Sequence, residues 1–269
     1  MGLALIAGQG GVPPHLVRVL LARGEVPVIC EVTQFPSQVV GDLPRLGFRL
    51  ETFGSLLAEL RARGVTRLCM AGAMRRPAVD PALIDAATAP LVPRLMAAMA
   101  RGDDGTLREI VAIVEEAGIA VIGAAAIAPD LLPEAGVAVG VLPPGIGAGI
   151  KAAEAALAEM GRADTGQAVV VRGTAVIARE DARGTDAMLE GLAPGMAPAF
   201  LYKAPKPGQE MRVDMPVIGP ETALRAAQAG LAGIVIAAGG VMVIERAEVI
   251  ATLARAGLFL WVRAAGGQG

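Results

Sequence analysis

The sequence predicts an α/β protein with a parallel sheet in its first half and a second, distinct α/β domain after it. Three observations carry this. Short continuous apolar runs at 3–7, 26–32 and 66–71 read as strands buried on both faces. Helical segments lie between them, closed by Gly24 and Gly64, and strands alternating with helices at this spacing argue parallel pairing. A glycine- and proline-rich stretch then interrupts the pattern. The chain is therefore divided into an N-terminal domain at 1–132, a linker at 133–149 and a C-terminal domain at 150–269.

Taken in order, the strand at 3–7 runs into Gly8-Gln9-Gly10-Gly11, and a helix follows over 14–23 with Pro13-Pro14 in its first turn. The strand at 26–32 contains Glu31 near its end. Ser55 is placed to cap a helix reaching Arg63. The strand at 66–71 leads into Gly72-Ala73-Met74-Arg75-Arg76-Pro77. Residues 81–100 are apolar with Pro90 and Pro93 inside, which predicts a kinked helix. The pattern at 107–118 is amphipathic helix, with Asp104 or Thr106 as its cap. A strand at 119–122 and a helical turn at 129–132 close the first domain. Beyond the linker come a helix at 150–160, strands at 168–171 and 175–179, a helix opening near Thr185, and a strand at 200–203. A helix at 220–229, strands at 233–237 and 241–244, a helix at 247–256 and a strand at 257–262 complete the chain.

Composition narrows the function. The chain has 269 residues, is 54% apolar and only 3% aromatic, so its core is built from Ala, Val, Leu and Ile. A net charge of −2 argues against a nucleic-acid partner. Cys30 and Cys69 sit in strand-like apolar runs without a C-x-x-C pair, which predicts buried, reduced thiols in a cytoplasmic protein. His15 is the single histidine, so a histidine-rich metal centre is excluded, and any Ser-His or Cys-His pair would have to use that residue. The opening residues lack the basic region of a secretory signal. Mean hydropathy is high, at +0.56. Even so, the longest apolar run, 226–244, contains four glycines and reads as core strands, so no transmembrane segment is expected.

Five places carry candidate chemistry. The glycine turn Gly8, Gln9, Gly10 sits between strand and helix, where backbone N–H groups can receive phosphate oxygens. Glu31 falls where a ribose-binding acid would sit, but Pro13 replaces the third glycine of G-x-G-x-x-G, so a nicotinamide-dependent oxidoreductase stands only as an alternative. Gly72, Arg75 and Arg76 follow a strand end, and paired arginines suit phosphate. Asp103 and Asp104 could hold Mg²⁺ or cap a helix. Thr185 and Asp186 open a helix. The densest mixed charge lies at 203–219, K-A-P-K-P-G-Q-E-M-R-V-D-M-P-V-I-G, whose prolines and glycines exclude a continuous helix. There Lys203, Lys206 and Arg212 stand beside Gln209, Glu210 and Asp214, as an anion-handling site with a carboxylate would require.

Read together, L-A-L-I-A-G-Q-G-G-V-P at the start, M-A-G-A-M-R-R-P at 70–77, G-D-D at 102–104, E-D-A-R-G-T-D-A-M-L at 180–189 and the run from Lys203 resemble the LpxI-type UDP-2,3-diacylglucosamine pyrophosphatases over essentially the whole chain. The resemblance implies a Rossmann-like N-terminal domain and a C-terminal catalytic α/β domain, holding the lipid between them in a homodimer. It implies Mg²⁺-dependent hydrolysis of UDP-2,3-diacylglucosamine to UMP and lipid X in lipid A biosynthesis, by attack of water on the sugar-side phosphorus. A cytoplasmic location follows, with peripheral contact at the inner membrane surface. The family's essential aspartate matches Asp214. Lys203, Lys206 and Arg212 become diphosphate ligands, and Gly8, Gln9, Gly10, Gly72, Arg75, Arg76, Thr185, Asp186 and Gln209 substrate contacts. Glu210 departs from the family pattern, which has Asp there. The 91–100 segment is a candidate wall for acyl chains, and a module that binds nucleotide or lipid without catalysis is a further alternative.

Overall fold

The computed structural model describes residues 2–74 and 78–264. Arg75 and Arg76, both named above, lie outside the described residues. Two compact units result: Met1–Pro129 with Glu210–Asp214, and Asp130–Gln209 with Met215–Gly269.

The first unit is built on five strands, β1 (Gly2–Ala7), β2 (Val28–Val32), β3 (Arg45–Phe48), β4 (Val65–Ala71) and β5 (Ala120–Val121). They are all parallel and ordered β3-β2-β1-β4-β5. Helices α1 (Val12–Ala22), α2 (Phe53–Ala62), α3 (Val92–Met99), α4 (Asp103–Glu116) and α5 (Ala124–Ile127) accompany them. Strand periodicity explains why the runs are apolar throughout. Ala4, Ile6, Cys30, Val32 and Leu68 share one core with Phe53, Leu56, Leu57 and Leu60 of α2 and Val111, Ile113 and Val114 of α4. The alternate residues Leu3, Leu5, Ile29 and Cys69 are buried as well. Chain order reverses direction between β1 and β4, and that reversal marks where ligands approach the carboxyl ends of parallel strands.

The second unit has a six-stranded sheet ordered β6-β13-β11-β9-β7-β8. Its strands are β6 (Gly136–Val139), β7 (Ala168–Arg172), β8 (Ala175–Arg179), β9 (Phe200–Lys203), β11 (Gly233–Ala237) and β13 (Phe259–Arg263). A separate parallel pair joins β10 (Val217–Ile218) to β12 (Met242–Val243). Strands β9, β11 and β13 run parallel, while β7 and β6 are antiparallel to their neighbours. Helix α6 (Ile146–Arg162) packs Ile150, Ala153, Leu157 and Met160 against Val169, Val171, Phe200 and Tyr202. Alternate strand residues, among them Val170, Leu201 and Ile234, join the other core with Met188 and Leu189 of α7 (Thr185–Glu190), Ala223 and Ala226 of α8 (Pro220–Gln228) and Val249 and Leu253 of α9 (Arg246–Arg255). This is a three-layer arrangement with helices on both faces.

The structure departs from the sequence reading in four places. The stretch at 81–100 is not one kinked helix: two short 3-10 turns, Pro81–Leu83 and Ala89–Leu91, precede α3, because prolines sit at the first turn of each piece. Helix α2 starts two residues before Ser55, which lies inside it. Helix α4 starts at Asp103, so neither Asp104 nor Thr106 is its cap. That position is Gly102, whose φ of 95° favours glycine. Finally, 133–149 is more than a linker, since it contains β6, paired antiparallel with β13, and the start of α6.

Candidate functional site

In the first unit the two glycine turns meet. Gly8 donates its N–H to Ala71 O at 2.8 Å, and Gln9 and Ala73 exchange backbone hydrogen bonds of 2.8 Å in both directions. A Cβ on Gly8 would lie 2.6 Å from Ala73 O. One on Gly72 (φ 90°) would lie 2.7 Å from Gln9 O and 2.8 Å from the Pro13 ring. Backbone-to-backbone packing at the carboxyl ends of β1 and β4 therefore accounts for Gly8 and Gly72, and Gly10 carries a positive φ of 95°. Glu31 is committed elsewhere. It accepts from Ser37 N and from Arg45 Nη1, both at 3.0 Å. Partial burial opposes its ionisation, but these donors together hold its carboxyl below the usual range. That commitment weakens the nicotinamide alternative.

Beside these turns a cleft of about 220 Å³ is lined almost entirely by apolar side chains. Met70, Ala71 and Gly72 at the end of β4 form part of its floor, Leu95, Met96 and Met99 of α3 one wall, and Leu107 and Ile110 of α4 another. Arg94 fastens α3 to α4, donating from Nε to Glu109 at 2.7 Å and from Nη1 and Nη2 to Glu116 at 2.6 and 2.9 Å. Met74, Val79, Met96 and Met99 line this cleft and are also exposed, so its rim is apolar. Of the 91–100 segment, Val92, Leu95, Met96 and Met99 border this cleft, while Leu91 and Leu95 pack against the core.

The segment Glu210–Asp214 belongs to this unit. Glu210 N donates to Asp104 Oδ1 at 3.2 Å, and Arg108 Nε donates to Asp104 Oδ2 at 2.7 Å, so both oxygens of Asp104 take protein donors. Arg212 donates from Nε and Nη2 to Glu210 at 3.0 and 2.9 Å and from Nη1 to Glu115 at 2.7 Å. The Arg212 guanidinium, outweighing partial burial, holds the Glu210 carboxyl below its ordinary range, and the pair raises Arg212 in turn. Asp214 is half-buried, and its N–H donates to Glu210 O at 3.1 Å. Val213, between Arg212 and Asp214, lines the apolar cleft. Among the described residues no group of three or more His, Cys, Asp or Glu side chains is arranged to hold a metal ion. Mg²⁺ needs only one or two carboxylates and completes its shell with water and phosphate oxygens.

In the second unit Lys203, at the end of β9, is 6% exposed. Its Nζ donates to Thr185 Oγ1 at 2.7 Å, and Thr185 Oγ1 donates to Glu180 Oε1 at 2.6 Å. Gln167 N donates to Glu180 Oε2 at 2.8 Å. Gln209 is buried, accepts from Lys206 N at 2.8 Å and donates to Gln167 Oε1 at 3.1 Å. Lys206 pairs with Asp164. Asp186 does not join this group, because its Oδ1 accepts from Thr222 Oγ1 at 2.8 Å. Of the sequence candidates, then, Lys203, Thr185 and Gln209 come together in this unit, while Gly8, Gln9, Gly72, Asp104, Arg212 and Asp214 belong to the other.

Residues 2–131 match the model of the LpxI N-terminal domain, and residues 144–261 that of the LpxI C-terminal domain. A protein of Caulobacter vibrioides (strain ATCC 19089 / CIP 103742 / CB 15), UDP-2,3-diacylglucosamine pyrophosphatase LpxI, is 37% identical over 268 residues, covering 96% of each chain. The chain belongs to the LpxI family. Within this LpxI-family fold, sequence reasoning missed Glu180, Gln167 and Asp164. Glu180 opens the quoted motif E-D-A-R-G-T-D, but its partners lie 5 and 13 residues away and no spacing rule links them.

Proposed function

We propose that this chain hydrolyses the diphosphate of UDP-2,3-diacylglucosamine, giving UMP and 2,3-diacylglucosamine 1-phosphate (lipid X), in an Mg²⁺-dependent step of lipid A biosynthesis. The observation that carries the reading is Val213. The short segment bearing Arg212 and Asp214 forms part of the wall of an apolar cleft. A substrate with a diphosphate next to alkyl chains needs that juxtaposition of cation, carboxylate and apolar volume. The name of the Caulobacter relative supports the same reaction.

Hydrolysis adds water across the bridging bond. The water oxygen bonds to the sugar-side phosphorus, the bond from that phosphorus to the bridging oxygen breaks, UMP leaves with the bridging oxygen, and one proton is released. Mg²⁺, when bound, would supply neutralisation of the diphosphate charge; Asp214, Asp103 and Asp104 are the carboxylates proposed for it, one or two at a time, with water and phosphate oxygens completing its shell. Lys203, Lys206 and Arg212 bind phosphoryl oxygens. Asp214 either holds the metal or orients the water. The cleft takes acyl chains, and its apolar rim favours peripheral contact with the cytoplasmic face of the inner membrane. No helix among the described residues is long and apolar enough to cross a membrane. A homodimer is the expected assembly, tested by sedimentation.

The deciding assay is release of UMP from UDP-2,3-diacylglucosamine in detergent micelles, with Mg²⁺ and with a chelator. Turnover that depends on Mg²⁺ is the expected result. No UMP under either condition refutes the reading, and saturable NAD(H) binding would revive the oxidoreductase alternative.

A further inference from the structure

Glu180 is a buried carboxylate to which the reaction above gives no task. It is 8% exposed, and its partner Thr185 and the Thr185-bound Lys203 are each 6% exposed. All three converge on one end of the sheet. Glu180 follows β8 and donates its N–H to Ala168 O at 2.9 Å, and Ala168 is the register partner of Lys203. That end is the carboxyl end of the parallel strands β9, β11 and β13, the edge at which such sheets receive ligands.

The chemistry fixes the direction of every bond. An ammonium only donates and a carboxylate only accepts. The Thr185 hydroxyl must therefore accept from Lys203 and donate to Glu180, which leaves it one orientation. Gln167 N–H holds the second Glu180 oxygen and sets the plane of the carboxylate. A buried cation and anion separated by one hydroxyl avoid the cost of an unpaired buried charge. The hydroxyl bridges the two charges, and its single orientation fixes where the ammonium sits relative to the carboxylate.

We infer that Glu180 is a positioning residue, which through the Thr185 hydroxyl fixes the Lys203 ammonium for an incoming phosphoryl group. The inference rests on the reading of Lys203 as a diphosphate ligand. It makes a prediction opposite in sign to simple electrostatics. A carboxylate that merely lowers the local potential would, once neutralised in Glu180→Gln, let an anion bind more tightly. A positioning carboxylate would, once neutralised, let the ammonium wander and the anion bind more weakly.

The test measures kcat and KM for UMP release, inhibition by inorganic pyrophosphate, and thermal unfolding, in wild type, Glu180→Gln, Thr185→Val and Thr185→Ser. Glu180→Gln and Thr185→Val are each expected to lower kcat about 10- to 100-fold, the scale of a misplaced catalytic group, and to weaken pyrophosphate inhibition. Thr185→Ser, which keeps the hydroxyl, is expected to recover most of the loss seen in Thr185→Val. The double variant should be no worse than the worse single, because both act through one chain of bonds. Tighter pyrophosphate inhibition in Glu180→Gln, or a fall in thermal stability with kcat unchanged, overturns the positioning role while wild-type turnover keeps the proposed reaction standing. Absence of turnover in wild type refutes the reaction and the positioning role with it.

Discussion

At the carboxyl ends of its parallel strands, the first unit leaves open space lined by methionine, leucine and phenylalanine. At the same end of its sheet, the second unit places Glu180, Thr185, Lys203, Gln167 and Gln209 in a connected polar network. Both groups lie at the edge where parallel strands present their carboxyl ends, the edge at which such sheets receive ligands. The units differ in what they put there. An apolar cleft gains affinity from area and is indifferent to small shifts, whereas a buried ammonium depends on every hydrogen bond around it. The contrast is one of apolar volume in the first unit against fixed polar side chains in the second. The five-residue segment Glu210–Asp214 carries charge into the first.

That segment gives the sharpest test of the division. Asp214→Ala should lower UMP release by about 10³-fold, the scale of losing a catalytic acid–base or electrostatic group, with near-ultraviolet circular dichroism unchanged. Activity within tenfold of wild type would show that the first unit contributes only apolar binding.

Next in size is a stability effect confined to the first unit. Glu51 lines the cleft yet is 1% exposed, accepting from Arg49 Nη2 at 3.0 Å and from Asp80 N at 2.8 Å. The Arg49 guanidinium, aided by the Asp80 N–H, lowers its carboxyl from 4.5 to about 2. A depressed carboxyl stabilises the fold above its unfolded value, and the contribution is lost as pH falls toward the folded value. Glu51 therefore supports the first unit fully above pH 4.5 and progressively less down to pH 2. Glu51→Gln should cost about 1–3 kcal/mol at neutral pH and flatten that part of the acid slope, measured by urea unfolding at pH 7, 5 and 3. An unchanged slope would mean that the carboxylate is solvated.

A smaller effect should separate chain binding from phosphoryl chemistry. Met96 is 66% exposed on the cleft rim, so Met96→Glu leaves the core intact. It should lower kcat/KM for a long-chain substrate about tenfold, near 0.8 kcal/mol for each methylene displaced, and leave a short-chain, water-soluble analogue within about twofold. Equal losses on both substrates would place the chains elsewhere.

What the sequence revealed follows the same physical division. Continuous apolar runs announced β1, β2 and β4 because burial on both faces of a parallel sheet requires them. By contrast, β3 reads R-L-G-F, too short and too mixed to stand out, and it forms only because β2 offers it an edge. Strand β6 hid among glycines because its pairing comes from β13, more than a hundred residues later. The charges of Lys203, Lys206, Arg212 and Asp214 were visible as a dense run. Their partners were not: Asp164 for Lys206, Glu115 for Arg212 and, through the Thr185 hydroxyl, Glu180 for Lys203 are brought in by tertiary packing at separations that no local periodicity records. The cleft was foreshadowed only by the methionines of 91–100, since a cavity is a property of how elements fail to fill space.

Glu210 gives the smallest and most discriminating case, because the sequence resemblance implies Asp at this position. Both Glu210 oxygens accept from the Arg212 side chain, and Oε1 also takes Arg212 N at 3.3 Å. Arg212 in turn keeps a second partner in Glu115. Shortening the acid by one methylene in Glu210→Asp loosens one side of this arrangement, while Glu115 still holds the guanidinium. Partly exposed ion pairs contribute about 0–1 kcal/mol, so kcat/KM should change by no more than about fivefold. A loss comparable to that of Asp214→Ala would make Glu210 a ligand for metal or water. It would also extend the phosphoryl chemistry of the first unit beyond Asp214, and the division between an apolar and a polar unit would then have to be redrawn at this segment.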